Sequence, residues 1–210
     1  YVLMLDSDDT LTEDAVSTAI YEWSKWEDDT NVGIVTLLKG KDKDHPNCYA
    51  ADENTPVDIM AYPRICPVSN DACEVIRREL FLKYPFPVFH GERFLSEGAL
   101  WNRVSFTHKC VYVNHVVYLC SYLDGGLTKS GKSLRIRNPL GGMYNANLNM
   151  SKKNSLKRRV KNGLLYTCYG CFAGYSPSRM AKSCDFKTLM YGCLPFGWML
   201  YVYWKRRYLN

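Results

Sequence analysis

The chain opens with five apolar residues that run straight into three carboxylates: Tyr1-Val-Leu-Met-Leu5, then Asp6-Ser-Asp8-Asp9-Thr10. An apolar run this short, ended by polar turn formers, reads as a buried strand. In open α/β sheets ligands sit just beyond the carboxyl ends of such strands, and the acids fall there. Three carboxylates within four residues repel one another unless a cation or a strong donor offsets the charge. Hard oxygen ligands favour Mg²⁺ or Mn²⁺, which commonly bridge to a phosphorylated substrate. The blander alternative is a solvated acidic turn that caps the next helix.

Beyond the acids the chain has the rhythm of an α/β protein. Thr12, Glu13 and Asp14 suit a helix start, and Ala15, Val16, Ala19, Ile20 and Trp23 recur at helical spacing up to about Trp26. Val32–Leu38 predicts a strand, residues 39–56 a polar loop, and Val57–Tyr62 a short strand. Ala72–Leu82 reads as a helix ended by Tyr84-Pro-Phe-Pro87. A further helix is expected from Ser96 to about His108, with Leu100, Trp101 and Val104 inward. Cys110–Asn114 and Val116–Tyr122, parted only by His115, form one bent strand; Thr128–Arg137 is expected as a basic loop. The chain lacks an initiator Met and opens inside a strand, so we read it as a fragment of a longer protein.

Charge divides the chain more sharply than composition does. Residues 1–126 carry 11 basic and 20 acidic side chains, whereas residues 127–210 carry 16 basic side chains and the single acid Asp185. So polarised a tail points to an anionic partner. Six Lys and Arg fall within residues 152–161, and the uncharged, aromatic-rich stretches 162–178 and 188–204 come after them, the second closed by Lys205-Arg-Arg207. Tyr and Trp flanked by Lys and Arg suit helices lying in a headgroup region. At seventeen residues each stretch also reaches the lower end of the range of about 17–25 for a spanning helix, which Gly192, Pro195 and Gly197 disfavour in the second. Buried helices give the same pattern. An anionic membrane surface is thus the expected partner and nucleic acid is not, because no reading module accompanies the basic run. Nine cysteines without regular spacing, among them a lone Cys168-Tyr-Gly-Cys171, fit free thiols in a reducing cytosol. We expect a catalytic domain over residues 1–140 and a helical, basic, aromatic-rich appendage over 141–210.

Two chemistries fit the acidic turn. Asp6-x-Asp8-x-Thr10 after an apolar strand resembles the haloacid dehalogenase-type phosphatases, which implies Asp6 as nucleophile and Asp8 as acid/base. The downstream acidic pair of that family is missing. A broader resemblance is to glycosyltransferase family 2, of the bacterial cell-surface polysaccharide type. Leu5–Ala15 is similar to its DxD segment. Phe86–Glu97 with Leu100-Trp-Asn-Arg-Val104 is similar to its acceptor-side block, and Asn114–Ser130 to its later strand and closing loop.

That second resemblance implies part of a GT-A fold, a mixed sheet flanked by helices, and inverting transfer of a sugar from a nucleotide-sugar donor to a glycan or lipid-linked acceptor. Mn²⁺ or Mg²⁺ on Asp8, supported by Asp6, would act on the leaving diphosphate as a Lewis acid. Asp6, Asp8, Asp9 and Lys129 are then the donor-side candidates. Glu97 falls where the family has its catalytic acid, although here Gly98 follows in place of the usual Asp. Trp101 and His90 are the acceptor-side candidates. The processive motif Gln-x-x-Arg-Trp is absent, so single addition is expected, at the cytoplasmic face of the cell membrane. A non-catalytic, membrane-associated remnant is the third possibility, because the family's first strands have no counterpart in these residues.

Overall fold

The computed structural model describes residues 1–58, 64–65, 71–120 and 127–209, without the side chains of 64–65 and 127–130. In chain order the elements are β1 (Val2–Leu3), β2 (Thr10–Leu11), α1 (Ala15–Ser24), β3 (Val32–Gly40), β4 (Tyr49–Ala50), β5 (Arg64–Ile65), β6 (Ala72–Ile76), α2 (Arg78–Lys83), α3 (Gly98–Val104), β7 (Lys109–Leu119), α4 (Leu127–Arg137), α5 (Pro139–Asn149), α6 (Leu156–Phe172), α7 (Pro177–Lys182) and α8 (Lys187–Tyr208). They form two compact units: residues 1–85 with 103–123, and residues 86–102 with 124–210. The acceptor-like block, Phe86–Glu97 with Leu100–Val104, is thus divided, with residues up to Asn102 in the second unit and Arg103 and Val104 in the first.

The first unit is built on a mixed five-stranded sheet of order β1-β6-β3-β7-β2, beside a small β4-β5 ladder. β3 is β-branched and leucine-rich, as a strand covered on both faces must be, and every one of its residues is buried. It runs parallel to β7 and antiparallel to β6. β7 is one strand whose pairing shifts register near its middle, which matches the expected bend. On one face Ala15, Ala19 and Trp23 of α1 pack against Val35, Leu37, Val75, Val111 and Val117. Trp23 donates its indole N–H to the Val75 carbonyl at 3.3 Å. Arg77 closes the α1–β3 connection by donating to the carbonyls of Val32, Trp26, Glu27 and Asp29.

Several expectations are corrected. Residues 72–76 are a strand, with the helix starting only at Arg78. The apolar positions 72, 73, 76 and 80 imitate helical spacing, but β6 lies between β1 and β3 and gives its backbone to both. Only Val2–Leu3 of the opening run pairs, at a sheet edge, and Leu5 is exposed. On α1, Val16 and Ile20 face solvent at 63% and 60% exposure, and Glu22 takes an inward position by pairing with Lys25 at 2.8 Å. Val57 forms an isolated bridge to Cys110, whereas residues 59–62 lie outside the described residues. The expected basic loop after Thr128 is helix α4, with a non-helical backbone at Gly131.

In the second unit the helices enclose their own core of Met143, Met150, Tyr166, Tyr169, Met180, Met190 and Trp204. Ser155 and Ser176 cap α6 and α7 by accepting from the Arg158 and Arg179 amides. Arg158, the centre of the basic run, donates twice to the Asn149 side chain at 3.1 and 2.8 Å. α8 is 22 residues long and contains Pro195. Among the described residues no helix is long and apolar enough to cross a membrane.

Candidate functional site

β1 and β2 lie at opposite edges of the sheet, so residues 4–9 run from one edge to the other. What holds this acidic turn is Tyr118, buried near the C-terminal end of β7 beside β2. Its hydroxyl accepts the Asp6 amide N–H at 2.9 Å and is hydrogen-bonded to the Asp9 carboxylate. The Asp9 amide closes the turn onto the Asp6 carbonyl at 3.2 Å. Burial first, and after it the hydrogen bond to Asp9 and the Asp6 charge, push the Tyr118 hydroxyl well above its usual range against the opposing Asp6 amide and Lys39, so it stays protonated. Beneath it, the Lys39 ammonium lies 4.1 Å from the Tyr118 ring centroid and 3.6 Å from Asp71.

Asp6 and Asp8 themselves are exposed and Asp9 is half-buried. Among the described residues no three His, Cys, Asp or Glu side chains are grouped to hold a metal ion, and the exposed Asp6 and Asp8 are the carboxylates the turn presents. Two carboxylates fit Mg²⁺ or Mn²⁺ of the kind that completes its octahedron with substrate phosphates and water. They do not fit a closed, all-protein metal cage.

The acceptor-side candidates belong to the second unit. Glu97 is half-buried at the start of α3, where its carbonyl accepts the Leu100 and Trp101 amides at 2.8 and 3.3 Å. Trp101 is half-buried, and His90 is exposed. The residues that fix this block are ones the sequence pattern does not mark. The Glu92 carboxylate accepts the amides of Leu140 and Gly141 (2.8 Å) at the start of α5, where negative charge is favoured. The Asn138 side-chain oxygen accepts the amides of Arg93 and Phe94 at 2.8 and 3.2 Å. Close by, Phe89, Leu140, Met143, Tyr144, Asn147 and Tyr166 line a cavity of about 150 Å³. Lys129 lies on α4, and its side chain is outside the described residues, as is the closing loop 121–126.

A third cluster escaped the sequence reading. His115 on β7 meets Asp14 at 3.0 Å, and Lys43 lies 3.6 Å from the other Asp14 oxygen. With Tyr49 and Asn114 they line a polar cavity of about 230 Å³. A hydrogen bond from Thr12, then one from His115, holds the Asp14 carboxyl well below the usual range. Asp14 reads in sequence as a helix-dipole residue, and its partner lies 101 positions away, beyond any local signal. Burial pushes the Cys168 thiol up to about 12 and raises that of Cys171 as well, so both stay protonated at neutral pH. No family model, curated protein or solved structure matches the chain.

Proposed function

We propose that this chain transfers a sugar from a nucleotide-sugar donor to a lipid-linked or glycan acceptor at the inner face of the cell membrane, as a GT-A glycosyltransferase of family 2. The observation that carries this reading is the acidic turn stretched between the two edges of the sheet and tied to Tyr118. It exposes Asp6 and Asp8 beside the strand end where α/β proteins take their ligands. Asp8, with Asp6, would hold Mn²⁺ or Mg²⁺, and that ion supplies Lewis acidity toward the donor diphosphate.

The chain's own residues do the rest. The Tyr118 hydroxyl fixes the turn through the Asp6 amide and the Asp9 carboxylate and leaves the Asp6 and Asp8 carboxylates exposed. Glu97 accepts the proton of the attacking acceptor hydroxyl. Trp101 and His90 contact the acceptor, and Lys129 the donor phosphates. The basic, aromatic-rich helices after Asn138 hold the enzyme against an anionic bilayer, with Tyr191, Phe196, Trp198 and Tyr203 of α8 exposed for the headgroup region.

Nucleotide release from a panel of nucleotide sugars, with Mn²⁺ and a membrane-lipid extract as acceptor, tests this. Asp8→Ala should abolish release, and Tyr118→Phe should reduce it at least about tenfold, in line with loss of positioning. Release that is indifferent to both variants would overturn the assignment. Cleavage of a simple phosphate ester that depends on Asp6, without sugar transfer, would hand the turn to phosphatase chemistry.

A further inference from the structure

An apolar slot lies where α6, α7 and α8 meet. Cys171, Met180, Leu194, Pro195, Trp198 and Met199 line a cavity of about 600 Å³ there. A pocket of this size falls within the range used for small-molecule ligands. Met180 is the buried floor, while Pro195, Trp198 and Met199 are exposed at the other side, with Trp198 at 58% and Met199 at 61%. An exposed Trp and Met on a helix without a charge between Thr188 and Trp204 is an apolar surface that water does not favour.

A cation lies beside the slot. Tyr175 and Pro177 complete the lining, and the exposed Arg179 guanidinium stacks on the Tyr175 ring at 3.9 Å from the centroid. Among the described residues no carboxylate forms an ion pair with Arg179. Asp185 is the sole acid after residue 126, against sixteen Lys and Arg. An apolar interior with a cation beside it matches an amphiphile with a hydrocarbon tail and an anionic head.

We infer that this slot binds a one-tailed lipid phosphate, with its hydrocarbon chain between α7 and α8 and its phosphate on Arg179. One slot with one cation beside it fits a single-tailed lipid, such as a prenyl phosphate, and leaves the second tail of a diacyl phospholipid unhoused. The inference rests on the membrane-side transferase reading and sharpens it, because it makes the acceptor lipid-linked and names the residues that grip its tail. Exposed Trp198 marks the entrance from the bilayer, where an indole prefers to lie.

The test uses the intact chain and farnesyl phosphate, followed by calorimetric titration. Binding should be saturable, with farnesol (the same tail without charge) and Arg179→Glu each at least tenfold weaker. Leu194→Phe, which fills the slot with an apolar group, should weaken binding as strongly without touching the cation. Inorganic phosphate should not compete at equal concentration. Farnesyl phosphate that binds wild type and both variants alike would overturn the slot. So would a short-chain phosphatidylglycerol that binds as tightly as farnesyl phosphate and is displaced by it, because the site would then be a general phospholipid contact. Retention of the chain on phosphatidylglycerol vesicles, measured in parallel, separates the two levels. Retained protein without slot-dependent binding sinks only this inference, and loss of both sinks the membrane reading beneath it.

Discussion

In the first unit a tryptophan closes the core from a helix onto a sheet; in the second, a glycine lets two helices touch. Trp23 is fully buried between α1 and the sheet, with Tyr1 stacked on its ring at 4.4 Å and the Arg77 guanidinium 5.0 Å from its centroid. At the α6–α8 crossing, Gly197 faces Thr167 so closely that a β-carbon would lie 1.8 Å from its hydroxyl oxygen. One core is filled by bulk, the other is brought together by the lack of it. The sheet can bring distant polar groups together, as Tyr118, Asp6 and Asp9 show, whereas the close helix pair buries Tyr166, Met190 and Trp204 and leaves Phe196, Trp198 and Met199 of α8 exposed.

The largest expected effect concerns the bulk. Trp23→Ala removes the ring, its hydrogen bond to the Val75 carbonyl and the stacking surface for Tyr1 and Arg77. Truncating a buried aromatic of this size costs about 3–5 kcal/mol. Urea unfolding followed by circular dichroism measures it. A loss below about 1 kcal/mol, no more than an average substitution costs, would show that α1 is not the lid of the sheet core.

The second effect tests the other half of the comparison with one substitution at two sites. Alanine is the better helix former by about 1 kcal/mol, so Gly→Ala in an open helical position stabilises. Gly192 is such a position, with nothing within 4 Å of where a methyl group would lie, so Gly192→Ala should raise the melting temperature. Gly197→Ala drives the same methyl into buried Thr167 and the Leu164 carbonyl, and overpacking of this kind costs about 1–3 kcal/mol. Thermal unfolding of the two variants should therefore move in opposite directions. Stabilisation by both would mean that the α6–α8 crossing is looser than its geometry.

These contrasts also explain what could be read from the residues alone. β3 and β7 were legible because continuous β-branched runs have few other uses, and α1 because Ala15, Ala19 and Trp23 recur on one face. β6 was not, since Ala72, Cys73 and Ile76 fall at helical spacing and only the pairing with β1 and β3 shows a strand buried on both faces. Val16 and Ile20 misled for a related reason: periodicity gives the width of an apolar stripe, not which part of it a sheet covers. At the candidate site the three acids were legible as a cluster. Their tether was not, because Tyr118 is 112 residues from Asp6 and resembles any strand tyrosine. Lys129 and the loop 121–126 stay at the level of resemblance.

The smallest effect concerns two carboxylates that each meet a histidine, one held by the framework and one local. Asp14, beside α1, takes its lowered pKa first from Thr12 and then from His115 on β7. Asp42 owes its own lowered pKa first to His45, three residues along the same loop. In both, the folded-state pKa lies below the unfolded value near 4. The resulting stabilisation is therefore complete above that value and is lost as pH falls through the lower, folded one. Carboxyl ¹³C shifts recorded across this acid range separate the causes. His45→Ala should return Asp42 most of the way to its ordinary value, because its largest contributor is gone. His115→Ala should raise Asp14 only in part, since Thr12 remains the larger donor. Complete normalisation of Asp14 in that variant would mean that the strand-borne histidine alone organises the polar cavity, and that Thr12 directs its hydroxyl to the Val117 carbonyl, which it already approaches at 3.4 Å.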